Sequence, residues 1–328
     1  MTALYPLKFR TIFKDKLWGG QKIKTILGKD FAPLPNCGET WEISGVEGNI
    51  SEVAEGALAG KDLKALMQTY QADLVGQSVY DKFGDEFPLL VKFIDANADL
   101  SIQVHPDDKL AQERHNSFGK TEMWYIFQAD EGAKLISGFN QPMSKEKYLE
   151  AFNAGKLTDI LNQELVQDDD VFFLPAGRVH TIGEGLLLAE IQQTSDITYR
   201  IYDFDRTDAA GNKRELHVEE ALDAIDYHHY DEYKTHYQAR QNNPVEIVSC
   251  PYFVTNRLEY TESTERNYQN IDSFVIYVCM EGGAEIVAGG KGYYMQKGDA
   301  YLIPASIGQV SLNTREGFKM LESYVPQT

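Results

Sequence analysis

The chain has 328 residues, 43 % hydrophobic and 25 % charged, with a formal net charge of −19. So acidic a chain has no electrostatic case for nucleic acid or an anionic membrane as partner, and an anionic substrate would need a locally basic site. Cys37, Cys250 and Cys279 make no CxxC and no disulfide framework. The opening residues lack a secretory apolar core, and no apolar run approaches ~18 residues, so a soluble cytoplasmic protein is expected. Taken in chain order, "KFRTIF" and "ETWEISGV" read as strands, and "KDLKALMQTYQADL" reads as a helix with Leu63, Leu66, Met67, Tyr70 and Leu74 on one face. The strands "FPLLVKFIDA", "EMWYIFQA" and "AKLISGF" follow. The helix "SKEKYLEAFNAG" comes next, N-capped by Ser144 and stopped by Gly155. "DVFFLPA", "LLLAEIQQT" and "ITYRIYDF" are further strands, and "HVEEALDAID" a last helix. Strands in close succession with helices set aside predict an antiparallel barrel with helical insertions. Neither GxGxxG nor GxxxxGK[ST] occurs, so no nucleotide fingerprint supports a βαβ fold.

From about Asn243 the chain becomes nearly all strand with tight Gly turns, which predicts units at 1–242 and 243–328. The second unit repeats the first. "DVFFLPAGRVH" (Asp170 to His180) matches "DAYLIPASIGQ" (Asp299 to Gln309), and "EMWYIFQADEGAKLI" matches "SFVIYVCMEGGAEIV". This alignment sets Gln309 against His180 and Ser273 against Glu122, so a metal held in the first copy could not be held the same way in the second.

"LSIQVHPDD" (Leu100 to Asp108) carries Gln103 and His105 two residues apart, hence on one strand face. Glu122 on a following strand and His180 after a Pro-Gly turn complete a candidate metal site. Two His and a carboxylate suit Zn²⁺ and also non-haem Fe²⁺; a Gln oxygen is neutral and leaves the ion more positive than a second carboxylate would. Five other His lie in polar runs or at helix ends: His115, His217, His228, His229 and His236. The run "DYHHYDEYKTHY" reads as solvated.

With "WGG", "GETWEIS", "GKTEMWYI", "PAGRVHTIG" and "EIQQTSDITYRIYDFDR", this constellation resembles the cupins, and among them the type I, zinc-dependent mannose-6-phosphate isomerases in their short bacterial form. The resemblance implies a mostly β fold of two tandem cupin (double-stranded jelly-roll) barrels, with helical insertions and the metal in the first and a degenerate, metal-free second. It implies one Zn²⁺ per chain on Gln103, His105, Glu122 and His180. It places Lys120, Glu190 and Arg200 around the sugar, and Arg206 and Ser101 near a phosphate. The implied reaction interconverts mannose 6-phosphate and fructose 6-phosphate in a monomer or weak homo-oligomer.

Such a reaction needs a Lewis acid, a base of tuned pKa and positive charge for an enediolate. Glu190 is the leading base. It stands on an apolar strand where burial would raise its pKa; a structural ion pair with Arg200 is its bland alternative. Lys120 would be a proton shuttle, a charge for the enediolate or a plain surface lysine. Phosphate affinity would come from Arg200 and Arg206, with Lys92, Ser101 or Arg178 as further candidates. A salt bridge within "YDFDRTD" is the alternative for Arg206. Packing is the expected role of Trp41 and Trp124. A sugar-sensing cupin without catalysis and a metal-dependent cupin oxygenase are the rival readings.

Overall fold

In the strands Leu89–Ala96 and Leu186–Gln193 every residue is buried. Alternation explains this. Leu89, Val91, Phe93, Leu187, Ala189 and Ile191 point outward into a core shared with the second unit. Ile94, Ala96, Leu186 and Leu188 point inward, and Lys92 and Glu190 have the same parity. An inward Lys and Glu on strands rich in Leu, Val and Ile mark the interior of the first unit as more than packing.

The computed structural model describes residues 2–207 and 210–327. In the first unit a seven-stranded antiparallel sheet runs Lys234–Thr235, Val171–Leu174, Glu122–Ala129, Leu186–Gln193, Leu89–Ala96, Glu39–Ile43 and Ile12–Lys14. A five-stranded sheet runs Tyr199–Tyr202, Ile102–Val104, His180–Ile182, Lys134–Phe139 and Leu161–Leu165. The two face each other: Trp124, Ile94 and Leu188 of the first share a core with Leu135 and Ile182 of the second. This is the jelly-roll sandwich of a cupin.

The expected helices are present, with one correction: the first ends at Tyr70, where Gln71 turns to a positive φ of 47°, so that Leu74 lies in a separate short helix, Ala72–Val75. Leu63–Tyr70 is N-capped by Asp62, which accepts from Ala65 N at 2.7 Å, and it buries Leu63, Leu66, Met67 and Tyr70. Lys145–Asn153 is capped by Ser144. With Val218–Ala224 it covers the outer face of the five-stranded sheet, where Tyr148, Ala221 and Leu222 meet Ile102, Val104 and Tyr199. No helix among the described residues is long and apolar enough to cross a membrane.

The second unit is a further jelly roll around its own core of Leu258, Tyr268, Val275, Tyr277, Val310 and Met320. Its long strand Val275–Ala288 pairs with Ala300–Ile303 and Phe318–Tyr324 at one end and with Lys291–Gln296 and Gln309–Asn313 at the other. The N-terminal strand Leu7–Lys8 joins this sheet by pairing with Ala300–Ile303. Between the units, Asp169 accepts from Tyr125 Oη at 2.7 Å and from Lys319 Nζ at 2.9 and 2.8 Å, while Arg257 Nε donates to Tyr125 Oη at 3.1 Å.

Strand register corrects the expected repeat. Glu122 lies opposite Leu174 and Tyr125 opposite Val171; in the second unit Val275 lies opposite Ile303 and Val278 opposite Ala300. The counterpart of Glu122 is therefore Val275, not Ser273. Ile182 pairs with Leu135 as Leu312 pairs with Ile286, and His180 pairs with Gln103 as Val310 pairs with Arg266. The counterpart of His180 is Val310, because the turn after Pro304 is one residue longer than that after Pro175. Gln309 is pushed to the exposed face, where it bonds Glu265. The conclusion that the second copy lacks these ligands stands on different residues.

Candidate active site and metal centre

Strand pairing brings the four candidate ligands together. His180 and Gln103 are cross-strand partners, and their Nε2 atoms lie 3.2 Å apart. Glu122 enters from the facing sheet, with Oε1 3.4 Å from His180 Nε2 and Oε2 3.6 Å from His105 Nε2. Ligand atoms of His105, Glu122 and His180 all lie within 4.8 Å of one another, and all three residues are buried. His105 Nδ1 donates to Ile197 O at 2.9 Å and His180 Nδ1 donates to Arg178 O at 2.8 Å. A carbonyl only accepts, so both rings carry their proton on Nδ1 and aim the Nε2 lone pair at the common point.

The donor set fits a divalent ion. His105 Nε2 and both Glu122 oxygens are buried without a hydrogen-bond partner, a costly state unless something ligates them. Burial lowers the pKa of both histidines, that of His180 to about 4, so each is neutral and free to ligate at neutral pH. Burial, with the nearby Glu190 charge, pushes the Glu122 carboxyl up, as a carboxylate without its cation behaves. The Gln103 amide, turned over, offers Oε1 to the same point.

Beside this group opens a cleft of about 420 Å³. Gln103, Lys120, Lys92, Glu190, Ser101 and Arg200 all line it. Lys120 precedes the strand that begins at Glu122, yet its Nζ stands 3.3 Å from Glu122 Oε2.

Glu190 differs from expectation. Its partner is Lys92, not Arg200: Lys92 Nζ donates to Oε1 at 2.9 Å, and Trp124 Nε1 donates to Oε2 at 2.8 Å. Burial by itself would raise the Glu190 carboxyl. The Lys92 and Lys120 charges and these two hydrogen bonds outweigh it and bring the pKa down. Glu190 is thus ionised at neutral pH, and Lys92, committed to it, is not a free phosphate ligand.

Two other basic candidates lie elsewhere. Arg206 is tied to Asp203 by Nη2 at 2.5 Å and Nε at 3.2 Å, and its Nη1 bonds Asp99 O. Arg178 lies with its guanidinium 4.5 and 4.6 Å from the ring centres of Tyr230 and Tyr233. Neither lines the cleft. Arg214 does; its Nε donates to Asp203 Oδ2 at 2.7 Å and its Nη2 to Asp203 Oδ1, which leaves Nη1 toward the cleft's anion. Burial and the Arg214 charge both lower the pKa of Arg200, whose Nε is buried without a partner. Two crowded guanidinium groups, one with an unmet donor, make an anion-seeking end of the cleft. No local motif announced Arg214; only packing brings it beside Arg200.

Lys14, Lys16, Trp18 and Trp41 also line the cleft. Lys14 and Lys16 alternate along one edge, a period-2 signal that was available in the sequence. Trp41 packs as expected, with Lys92 Nζ 5.3 Å from its ring centre, but it also faces the cleft. Trp124 packs and also holds Glu190. His217, expected to start a helix, also accepts from the Arg200 backbone N–H on Nδ1 at 3.2 Å.

A family model described as phosphomannose isomerase type I, catalytic domain, matches residues 6–130, and one described as mannose-6-phosphate isomerase, cupin domain, matches 244–322. The chain is 35 % identical over 313 residues to the mannose-6-phosphate isomerase ManA of Bacillus subtilis, covering 94 % of this chain and 95 % of that one. The crystal structure of the mannose 6-phosphate isomerase from Bacillus subtilis superposes with a TM-score of 0.86 at 32 % identity, covering 97 % of this chain and 99 % of that one. A mannose 6-phosphate isomerase structure bound with zinc and yttrium shares the fold, with a TM-score of 0.77 at 15 % identity over 98 % of this chain and 100 % of that one. Sequence motifs, jelly-roll register and full-length similarity agree, and the chain belongs to the type I mannose-6-phosphate isomerase family.

Proposed function

We propose that this chain interconverts mannose 6-phosphate and fructose 6-phosphate in the Lys92–Glu190–Arg200 cleft, with one zinc ion held by Gln103, His105, Glu122 and His180. The observation that carries this reading is the convergence of the buried ligand atoms of His105, Glu122 and His180, with His105 Nε2 and Glu122 Oε1 lacking any hydrogen-bond partner, beside a cleft whose cationic lining includes an ionised carboxylate. When bound, zinc supplies Lewis acidity to the substrate's oxygens. Glu190, ionised and held at both oxygens, is positioned to take the proton that moves between C2 and C1. Lys92 and Lys120 place positive charge beside the enediolate that results.

Arg200 and Arg214 hold the phosphate, with Ser101 on the same cleft wall; Arg214 replaces Arg206 in this role. The unit 1–242 carries the chemistry, and 243–328 is metal-free support. A purely sugar-sensing cupin has no use for an ionised Glu190 clamped in the cleft by Lys92. An oxygenase has none for two arginines at the cleft's end. Metal analysis of the purified protein with a coupled isomerase assay tests the reading. Stoichiometric zinc and turnover of mannose 6-phosphate are expected; a zinc-loaded protein inert toward sugar phosphates would overturn it.

A further inference from the structure

The run "DYHHYDEYKTHY" is not a plain solvated stretch. Its Tyr230 and Tyr233 rings, packed edge to face with each other, both lie against the Arg178 guanidinium, and Arg178 is buried. Tyr233 is itself anchored. Its hydroxyl donates to Phe139 O at 2.8 Å and accepts from Phe139 N at 3.1 Å. Gly138 leaves room for this ring, since a Cβ there would stand 2.2 Å from it.

The turn that Arg178 belongs to hydrogen-bonds to both histidines of the metal group and to the residue beside its carboxylate. Gly177 N donates to His105 O at 2.9 Å. Ala176 N donates to the hydroxyl of Thr121, the neighbour of Glu122, at 3.2 Å. Arg178 O accepts from His180 Nδ1 at 2.8 Å. The turn is closed from outside by Asp226 N donating to Gly177 O at 2.8 Å. A buried cation held against two ring faces is a strong, directional anchor, and the carbonyl of that residue sets the tautomer and ring plane of His180.

We propose that Arg178, clamped by Tyr230 and Tyr233, is a positioning residue for the metal centre: the tyrosine clamp fixes the Pro175–Arg178 turn, and the turn aligns His180 and His105 on the ion. This rests on the zinc-ligand reading above. Outer partners of metal-bound histidines typically change affinity by about 10–100-fold when removed, and Arg178 acts at that level without touching substrate or ion.

The experiment measures zinc affinity by competition with a chelator, alongside the melting temperature of metal-free protein. Wild type, Arg178→Ala, Tyr230→Ala and Tyr230→Phe are compared with Ile286→Ala, a destabilising change in the second-unit core. Arg178→Ala is expected to weaken zinc about 10–100-fold. Tyr230→Ala removes one ring face and is expected to weaken it less, and Tyr230→Phe, which keeps the ring, to stay near wild type. Tyr230 lies at the surface, so its variants remain informative if Arg178→Ala does not fold. Ile286→Ala should lower the melting temperature and leave zinc affinity unchanged. Wild-type affinity in both Arg178→Ala and Tyr230→Ala overturns the inference while leaving the ligand set intact. So does equal weakening in Ile286→Ala, which would reduce the clamp to general stability. A wild type that binds no zinc overturns the ligand set and the inference together.

Discussion

The interiors of the two jelly rolls differ at matching positions. Where the first has Glu122, His180 and Gln103, the second has Val275, Val310 and Arg266. Trp124 is matched by Tyr277 and Glu190 by Glu322, because Trp124 lies opposite Glu190 as Tyr277 lies opposite Glu322. Lys92 is matched by Asn256. Both barrels therefore bury a glutamate at one position, with different surroundings. Glu322 is fully engaged: Arg266 donates to it through Nε at 2.9 Å and Nη2 at 2.8 Å, Tyr268 through Oη at 2.5 Å and Asn256 through Nδ2 at 3.0 Å. The first barrel keeps donors and acceptors unmet beside a cleft; the second meets them internally. A barrel can be read as reactive or structural by whether its buried polar atoms are left waiting.

The comparison breaks most visibly at the ligands. His105→Ala or His180→Ala should remove the bound ion and the activity together, since losing one donor of four opens the shell. Gln309→Ala should do neither. A His180→Ala protein that retains one zinc per chain by metal analysis would falsify the ligand set.

The paired glutamates sharpen it. Glu190→Gln should cut turnover by roughly 10²–10⁴-fold, the range of a positioned acid–base group, with metal content unchanged. Glu322→Gln should do the reverse. It leaves Arg266 without its counter-charge and should cost about 3–5 kcal/mol of stability, with normal turnover per folded molecule. Steady-state kinetics and denaturant melts of the two variants separate the roles, and near-normal turnover in Glu190→Gln would move the base to Lys120.

A smaller effect tests the anion end. Arg214→Ala should raise KM about 10–100-fold, the worth of a charged hydrogen bond, while kcat changes little. Arg206→Ala should be milder, since Arg206 does not line the cleft. An unphosphorylated sugar should be nearly indifferent to Arg214→Ala; equal sensitivity of both substrates would remove Arg214 from the phosphate site.

The smallest effect lies between the barrels. Burial opposes ionisation of Asp169, but hydrogen bonds from Lys319 and Tyr125 and the neighbouring positive charges win, so its pKa falls below the unfolded 3.8. A lowered carboxylate contributes stability that is full above that value and lost as pH falls through the native one. The stability gap between wild type and Asp169→Asn should therefore narrow below about pH 4. A gap that is constant in urea melts across the acid range would show that Asp169 does not carry it.

Much of this was legible because the chemistry is local in sequence. Gln103 and His105 share a strand face by a spacing of two, and His180 follows a Pro-Gly turn. The mostly β reading and the helix with Leu63, Leu66 and Met67 on one side followed from periodicity, and all three residues are buried. What escaped depends on register. Lys92 meets Glu190 across 98 residues of chain, so the expected rise in the Glu190 pKa became a fall. One extra residue in the turn after Pro304 moved the true counterpart of His180 from Gln309 to Val310. Arg178 and Arg206 stood out as isolated basic residues, but packing leaves neither in the cleft lining: Arg178 lies against an aromatic pair and Arg206 is bound to Asp203 and Asp99 O. Arg214 had no pattern around it at all.

The pairing of Leu7–Lys8 with Ala300–Ile303 ties the two ends of the chain together. Leu7, Phe9 and Ile23 share a core with Phe274, Ile276, Leu302 and Leu321. On the ribosome, the strand Leu7–Lys8 must wait until Ala300–Ile303 has been made, and its apolar partners stay uncovered until then. Pairings of such long sequence separation form late and leave the nascent chain open to chaperones and to misassembly. The second jelly roll is thus the part whose arrival lets the first close over its own beginning.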